Sequence, residues 1–194
     1  MSLILLLLSI IIYFILIYTI EKKYTFEQSL IIKIALFSLL IPIFKIPFYS
    51  ETPYSLYYIF IIYGIVLILL PEKWIKTSGF RLYINKKRLF LIPLSASITE
   101  EVFFRGILNE LLLNVYNSII IVSIISSFLF ALIHIFNFIN GIENKKYFLL
   151  TFPLRFAFGL FFSYIYFKYG LFSVIIIHFL VDFPALYRLY KLNF

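Results

Sequence analysis

From Ser2 to Ile20 the chain carries no charged side chain. About 20 consecutive apolar residues are enough to cross the hydrocarbon core of a bilayer as a helix, which satisfies its backbone hydrogen bonds internally where no water can. Comparable runs recur at Gln28 to Phe48, Thr52 to Leu70, Pro93 to Val115, Ser118 to Phe136, Tyr147 to Phe167 and Leu171 to Tyr187. They predict an all-α fold, a polytopic membrane bundle of about seven transmembrane helices. Composition closes the soluble alternatives. Of 194 residues, 63% are apolar, 22% aromatic and only 13% charged, whereas a water-facing domain carries about a quarter charged residues. A soluble enzyme, a nucleic-acid-binding domain and a disordered tail are therefore excluded, despite a net charge of +8. Cysteine is absent, which removes disulfides, thiolate metal sites and Cys nucleophiles. Lys22 and Lys23 follow the first apolar run and nothing basic precedes it, so that run reads as a retained helix rather than a cleaved signal.

The positive charge has a topological meaning, because cytoplasmic loops collect Lys and Arg. In an alternating seven-span arrangement one set of ends holds Lys22, Lys23, Lys73, Lys76, Arg81, Lys86, Lys87, Arg88, Lys145, Lys146, Arg188 and Lys191. The opposite ends hold only Lys45 and Lys168. The N-terminus is expected outside and the C-terminus in the cytoplasm. The basic connection from Pro71 to Ile92 then lies on the cytoplasmic face, and its stretch from Arg81 to Ile92 reads either as an interfacial amphipathic segment or as a solvated loop. We divide the single membrane domain into residues 1–92, three helices and this loop, and 93–194, the segment carrying the polar residues described next.

Ionisable groups inside a membrane are costly and tend to be functional. Those within the expected spans are Glu100, Glu101, Arg105 and Glu110 in the fourth, His134 in the fifth, Arg155 in the sixth, and His178 and Asp182 in the seventh. The chain has only two His and one Asp, and all three are in this set. Lys33 and Lys45 in the second span lie close enough to its ends to snorkel. On a helix Glu101 faces Arg105, with the acid N-terminal to the base, while Glu100 is turned about a hundred degrees away. Two acids against one base leave one acid spare, the arrangement suited to taking and returning a proton. The competing structural reading is a salt-bridge network that locks helices together. His178 and Asp182 stand one turn apart on one helix face, where a carboxylate can fix the tautomer of an imidazole. Phe130 precedes His134 by one turn, and Asn137 lies just beyond it.

Depth ties these residues together. If the fourth span starts near Pro93, Glu100 lies about 10 Å in from the cytoplasmic side, and Asp182 about 9 Å in if the seventh ends near Arg188. His134 is within a turn of the same side. Three helices thus place polar groups at one level, as a single cavity open to the cytoplasm would require. Arg155, about two turns in, reads either as a partner for an acid or as a contact for a substrate carboxylate.

At these residues the chain resembles the CPBP intramembrane proteases, also called the Abi or CAAX-protease-like family, relatives of the type II CAAX prenyl endopeptidase. The family's EExxxR resembles Glu100, Glu101 and Arg105; its FxxxH resembles Phe130 and His134; its HxxxN/D resembles His178 and Asp182. The three motifs stand in the family's order between about Ser95 and Asp182. The resemblance implies a glutamate-type intramembrane endopeptidase with no cofactor and no metal. Glu100 would be the general base and His134 would help to hold the attacking water. His178 with Asp182 would sit near the oxyanion, and Glu101 with Arg105 would be the supporting pair. Phe130, Asn137 and Arg155 are candidate substrate contacts. The chain departs from the better-studied prenyl-protein members in having Asp182 where they carry Asn. An ionised carboxylate cannot donate a hydrogen bond, so Asp182 is either protonated or orients His178.

The alternatives are a metal-dependent hydrolase using the same acids and imidazoles, a haem held by His134 and His178, a non-catalytic membrane adaptor of the same fold, and a transporter. No HExxH stands in the sequence, Arg105 would repel a cation, and no inverted repeat is visible. The expected partners are the lipid bilayer and a peptide or membrane-protein substrate, with no nucleic acid. The richness in Ile, Phe, Tyr, Lys and Asn points to an A+T-rich microbial genome, and a chain of this type is expected in a prokaryotic plasma membrane.

Overall fold

The computed structural model describes residues 2–71 and 83–192. Lys73, Lys76, Arg81 and most of the expected basic connection lie outside the described residues. The described chain is all-helical: α1 (Ser2–Lys23), α2 (Phe26–Ile43), α3 (Tyr54–Leu69), α4 (Lys86–Glu101), a π-helical segment (Val102–Leu108), α5 (Asn109–Tyr116), α6 (Ile119–Ile133), α7 (Ile135–Ile139), α8 (Lys145–Tyr169) and α9 (Leu171–Leu192). Among the described residues, five helices are long and apolar enough to cross a membrane: Ile4–Lys23, Phe26–Ile43, Ile119–Ile139, Lys145–Tyr169 and Leu171–Lys191. The other two expected spans are also helical. Tyr54–Leu69 is apolar but has 16 residues, about 24 Å at 1.5 Å per residue. The fourth carries the Glu-Glu-Arg set, and that polarity takes it below the apolarity of its neighbours.

The fourth helix begins earlier than the apolar run predicts. Pro93 lies inside α4, which starts at Lys86 under an N-cap in which the Asn85 side chain accepts from the Arg88 N–H at 2.8 Å. From Lys86 on, the Arg81 to Ile92 stretch is thus helical rather than a solvated loop. Ile84 and Leu89 are buried against Leu186 of α9, while Phe90 is exposed. At its other end the helix passes through the π-helical segment, where the Asn109 N–H reaches back five residues to the Phe104 carbonyl. Gly106 lies in this segment against Ile46, and a Cβ there would come within 2.5 Å of the Ile46 side chain.

Packing follows from where small or polar residues let helices approach. α4 is clasped between α2 and α9, α6 packs along α8, and α3 lies against α9. A Cβ on Gly159 of α8 would lie 2.8 Å from Ser127 Cβ of α6, so their contact requires glycine. Gly170 (φ +85°) turns the chain between α8 and α9, and the segment after α2 crosses over this turn, with the Leu171 N–H donating to the Pro47 carbonyl at 2.8 Å. Thr52 and Ser173 share a hydrogen bond there. Arg188 donates to the carbonyls of Leu67 and Leu70 at 2.6 Å each, closing the end of α3. Lys33 pairs with Glu21 at 2.7 Å, joining α2 to α1. The largest group of buried apolar residues runs from Tyr13 and Phe37 through Phe103, Phe104 and Phe130 to Phe162 and Ile177, and the ionisable cluster is set into it.

Candidate active site

Glu101 is the most constrained acid. Its Oε2 lies 3.1 Å from Arg105 Nε, and neither side chain has any exposed surface. Its Oε1 lies 2.6 Å from His178 Nδ1. A carboxylate here can only accept, so the His178 Nδ1 carries the proton and donates it to Glu101. The guanidinium of Arg105 is further placed by a hydrogen bond from Nη2 to the Gly159 carbonyl at 3.1 Å. It sits 4.5 Å from the ring centre of Phe130 and 5.5 Å from that of Phe162, where the π-faces partly replace the water a cation loses on burial.

With Nδ1 committed, the opposite edge of the His178 ring faces outward. Nε2 lies 3.3 Å from Asp182 Oδ2 and 4.0 Å from Glu100 Oε2. The ring is held flat against Phe162, centroids 4.8 Å apart at 26°, and edge-on to Phe130 at 5.9 Å. Exposure grades outward from the buried Glu101 to Glu100, whose side chain is 18% exposed, and Asp182, at 37%. Glu100 accepts no hydrogen bond from the described residues. One of the two adjacent acids is therefore held from both sides while the other is free at the rim.

His134 lies where α6 ends. Its Nδ1 is 3.0 Å from the Phe130 carbonyl, and since a carbonyl only accepts, Nδ1 donates and Nε2 keeps its lone pair. Its ring also packs edge-on to Phe130 at 5.4 Å, so Phe130 touches both histidines and Arg105. Asp182, His178 and Arg155 all lie within electrostatic range of His134. The structure thus gathers Glu100, Glu101, Arg105, Phe130, His134, His178 and Asp182 around one site.

Asn137 and Arg155 are bound into a neighbouring cluster. Both bond to Glu143, an acid outside the apolar runs and so outside the set read from the spans. Asn137 Nδ2 donates to Glu143 Oε1 at 2.8 Å, and Arg155 grips both carboxylate oxygens at 2.6 and 3.0 Å. Glu110, expected within the fourth span, is exposed at the end of the π segment and accepts from the Tyr166 hydroxyl at 3.0 Å. Three tyrosines without a motif also approach the site. Tyr13 is buried and stacked on Phe103 at 3.9 Å, and Tyr63 and Tyr147 lie within electrostatic range of Asp182. An apolar cavity of about 290 Å³ lies between α1, the π-helical segment and the end of α6, bounded by Ile10 and Phe14 of α1, Phe103 and Phe104, and Ile133 and Phe136. Among the described residues, no three His, Asp or Glu side chains are arranged to hold a metal ion.

Several helices of membrane-spanning length and apolarity around a shared ionisable cluster define an integral, multi-pass membrane protein. The family model described as type II CAAX prenyl endopeptidase Rce1-like matches residues 87–184, from the start of α4 into α9 and across every residue of the cluster. The chain belongs to this family, and membership implies a membrane-embedded protease of the CAAX type, a hydrolase. No curated protein and no solved structure matches the chain.

Proposed function

We propose that the chain is a glutamate-type intramembrane endopeptidase that hydrolyses a peptide bond of a peptide or membrane-protein substrate entering from the cytoplasm. The observation that carries this reading is the asymmetry of the adjacent acids. Glu101 is held by Arg105 and His178, whereas Glu100 accepts no hydrogen bond from the described residues and stands at the partly exposed rim.

In this mechanism Glu100 takes a proton from water while the His134 Nε2 lone pair accepts a hydrogen bond from the same water and holds it. The water oxygen attacks the carbonyl carbon. The negative charge then gathers on the carbonyl oxygen, where His178, doubly protonated between the Glu101 and Asp182 carboxylates, donates its Nε2 proton, and Asp182 orients that donor. The proton on Glu100 passes to the leaving nitrogen as the C–N bond breaks, yielding a carboxylate and an amine. Glu101 and Arg105 hold the His178 ring in the one orientation that aims Nε2 at the reacting atoms. The protein would cross a prokaryotic plasma membrane seven times, N-terminus outside and C-terminus in the cytoplasm, which places the basic helix ends and the mouth of the site on one side.

Glu100→Gln at matched expression tests the reading. Protein termini in cells carrying wild-type protein should include cleavage products that vanish in the variant, with a rate loss of at least ~10²-fold on any identified substrate. Identical termini in both strains, with a phenotype that still depends on the protein's presence, would make it an adaptor of this fold.

A further inference from the structure

The backbone that carries His134 is anchored by groups the mechanism above leaves unused. α6 ends at His134 and α7 starts at Ile135. The Asn137 N–H donates to the His134 carbonyl at 3.0 Å, and the Asn137 carbonyl accepts from Ile142 and Glu143 at 2.8 and 3.0 Å. The Asn137 side chain donates to Glu143 Oε1 at 2.8 Å. Arg155, from α8, meets the same carboxylate in a fork, Nη2 to Oε1 at 2.6 Å and Nη1 to Oε2 at 3.0 Å. Gly141, at φ +72°, turns the loop back so that Glu143 can reach inward. The Glu143 side chain has no exposed surface and that of Arg155 is 16% exposed. Hydrogen bonds thus run without a gap from α8 to the residue that ends α6.

Two features make this more than a fold contact. A fork between guanidinium and carboxylate fixes direction as well as distance. The anchored residue is also the one whose ring must aim Nε2 into the site, since its Nδ1 is occupied by the Phe130 carbonyl. A five-residue helix following a break has little rigidity of its own.

We propose that Glu143 is a positioning residue for His134: together with Asn137 and Arg155 it clamps the α6–α7 break to α8 and so sets where the imidazole points. The proposal rests on the water-holding role given to His134 above. It assigns Asn137 and Arg155 to the clamp rather than to substrate contact.

With only two histidines in the chain, protein labelled with ¹⁵N-histidine and held in detergent or nanodiscs gives one set of ring signals for each, assigned with a His134→Gln sample. In Glu143→Gln and in Arg155→Lys the His134 signals should shift or broaden while those of His178 stay in place. On a cleaved substrate, kcat should fall about 10-fold or more with KM changed less than about twofold. The double variant Glu143→Gln/Arg155→Gln, which can rebuild a neutral hydrogen-bonded pair, should return the His134 signals toward wild type. Unmoved His134 signals in either folded single variant would overturn the proposal, as would a raised KM at unchanged kcat, which would make Arg155 a substrate contact. If Glu143→Gln does not fold, Arg155→Lys carries the same readouts. The ring signals need no substrate, so they decide the positioning role even if Glu100→Gln shows that the protein is no protease.

Discussion

Two Glu–Arg pairs stand beside the two histidines, and they differ in how they are made. Glu101 and Arg105 lie four residues apart on one continuous helix, with no exposed surface on either side chain, and meet through one Nε contact at 3.1 Å. The rest of that guanidinium is placed by the Gly159 carbonyl and the faces of Phe130 and Phe162. Glu143 and Arg155 come from a loop and from α8, meet as a fork, and leave the arginine 16% exposed. The first pair orients a side chain, because Glu101 bonds the His178 ring directly. The second orients backbone, because it acts on His134 through Asn137. Local sequence can specify the first kind of contact, and only the folded loop can make the second.

The comparison implies an order of cost. Arg105→Met leaves Glu101 with His178 as its one donor at a position with no exposed surface, and removing one member of a buried ion pair costs about 3–5 kcal/mol. Arg155→Met likewise leaves Glu143 one donor, Asn137, but should cost less, about 1–3 kcal/mol, because the arginine's position is already partly open. Equilibrium unfolding of both variants in the same detergent measures the difference. Equal losses would show that the two sites are equally sealed and would remove exposure as the explanation.

A smaller effect probes the frame that the Arg105 pair depends on. In Gly159→Ala the new Cβ would come 2.8 Å from Ser127 Cβ and 3.0 Å from its Cα. α6 and α8 must then separate, carrying Phe130 away from Phe162 and shifting the carbonyl that Arg105 uses. A loss of about 1–3 kcal/mol is expected, accompanied by loss of activity. Adding Ser127→Gly, which removes the nearer atom, should recover part of it. Wild-type stability in Gly159→Ala would mean that the helices can slide apart without cost and that their spacing does not hold the site.

The same contrast explains what could be read from the sequence. Among the described residues the apolar runs mark the long helices that pack the bundle, since lipid solvates what water would not, and the sparse ionisable residues within them mark the site because each is costly to bury there. Glu101–Arg105 and His178–Asp182 are visible because their spacing is helical and their contacts are local. Hydropathy marks a span from Pro93 but not the start of the helix that carries it, because Lys86 to Arg88 are polar although α4 runs through them from the Asn85 cap. The π-helical segment has no local signature: it accompanies a close approach of Gly106 to Ile46, a residue distant in sequence. Glu143 carries no sequence signal for a related reason. It lies in a polar loop between apolar runs, where an acid is ordinary, and its burial is created by Arg155 and Asn137 coming together.

Glu110 and Tyr166 supply the low end of the scale. The acid is exposed and its partner is a neutral hydroxyl at 3.0 Å, so Tyr166→Phe leaves Glu110 free to find other donors rather than stranding it. The cost should be the net worth of one ordinary hydrogen bond, about 0.5–1.5 kcal/mol. No change in kcat is expected, since neither residue approaches the Glu100, His134 and His178 cluster. A loss as large as that of Arg155→Met would show that Glu110 depends on Tyr166 much as Glu143 depends on its arginine, and that exposure at this end of the bundle gives a carboxylate no alternative donors.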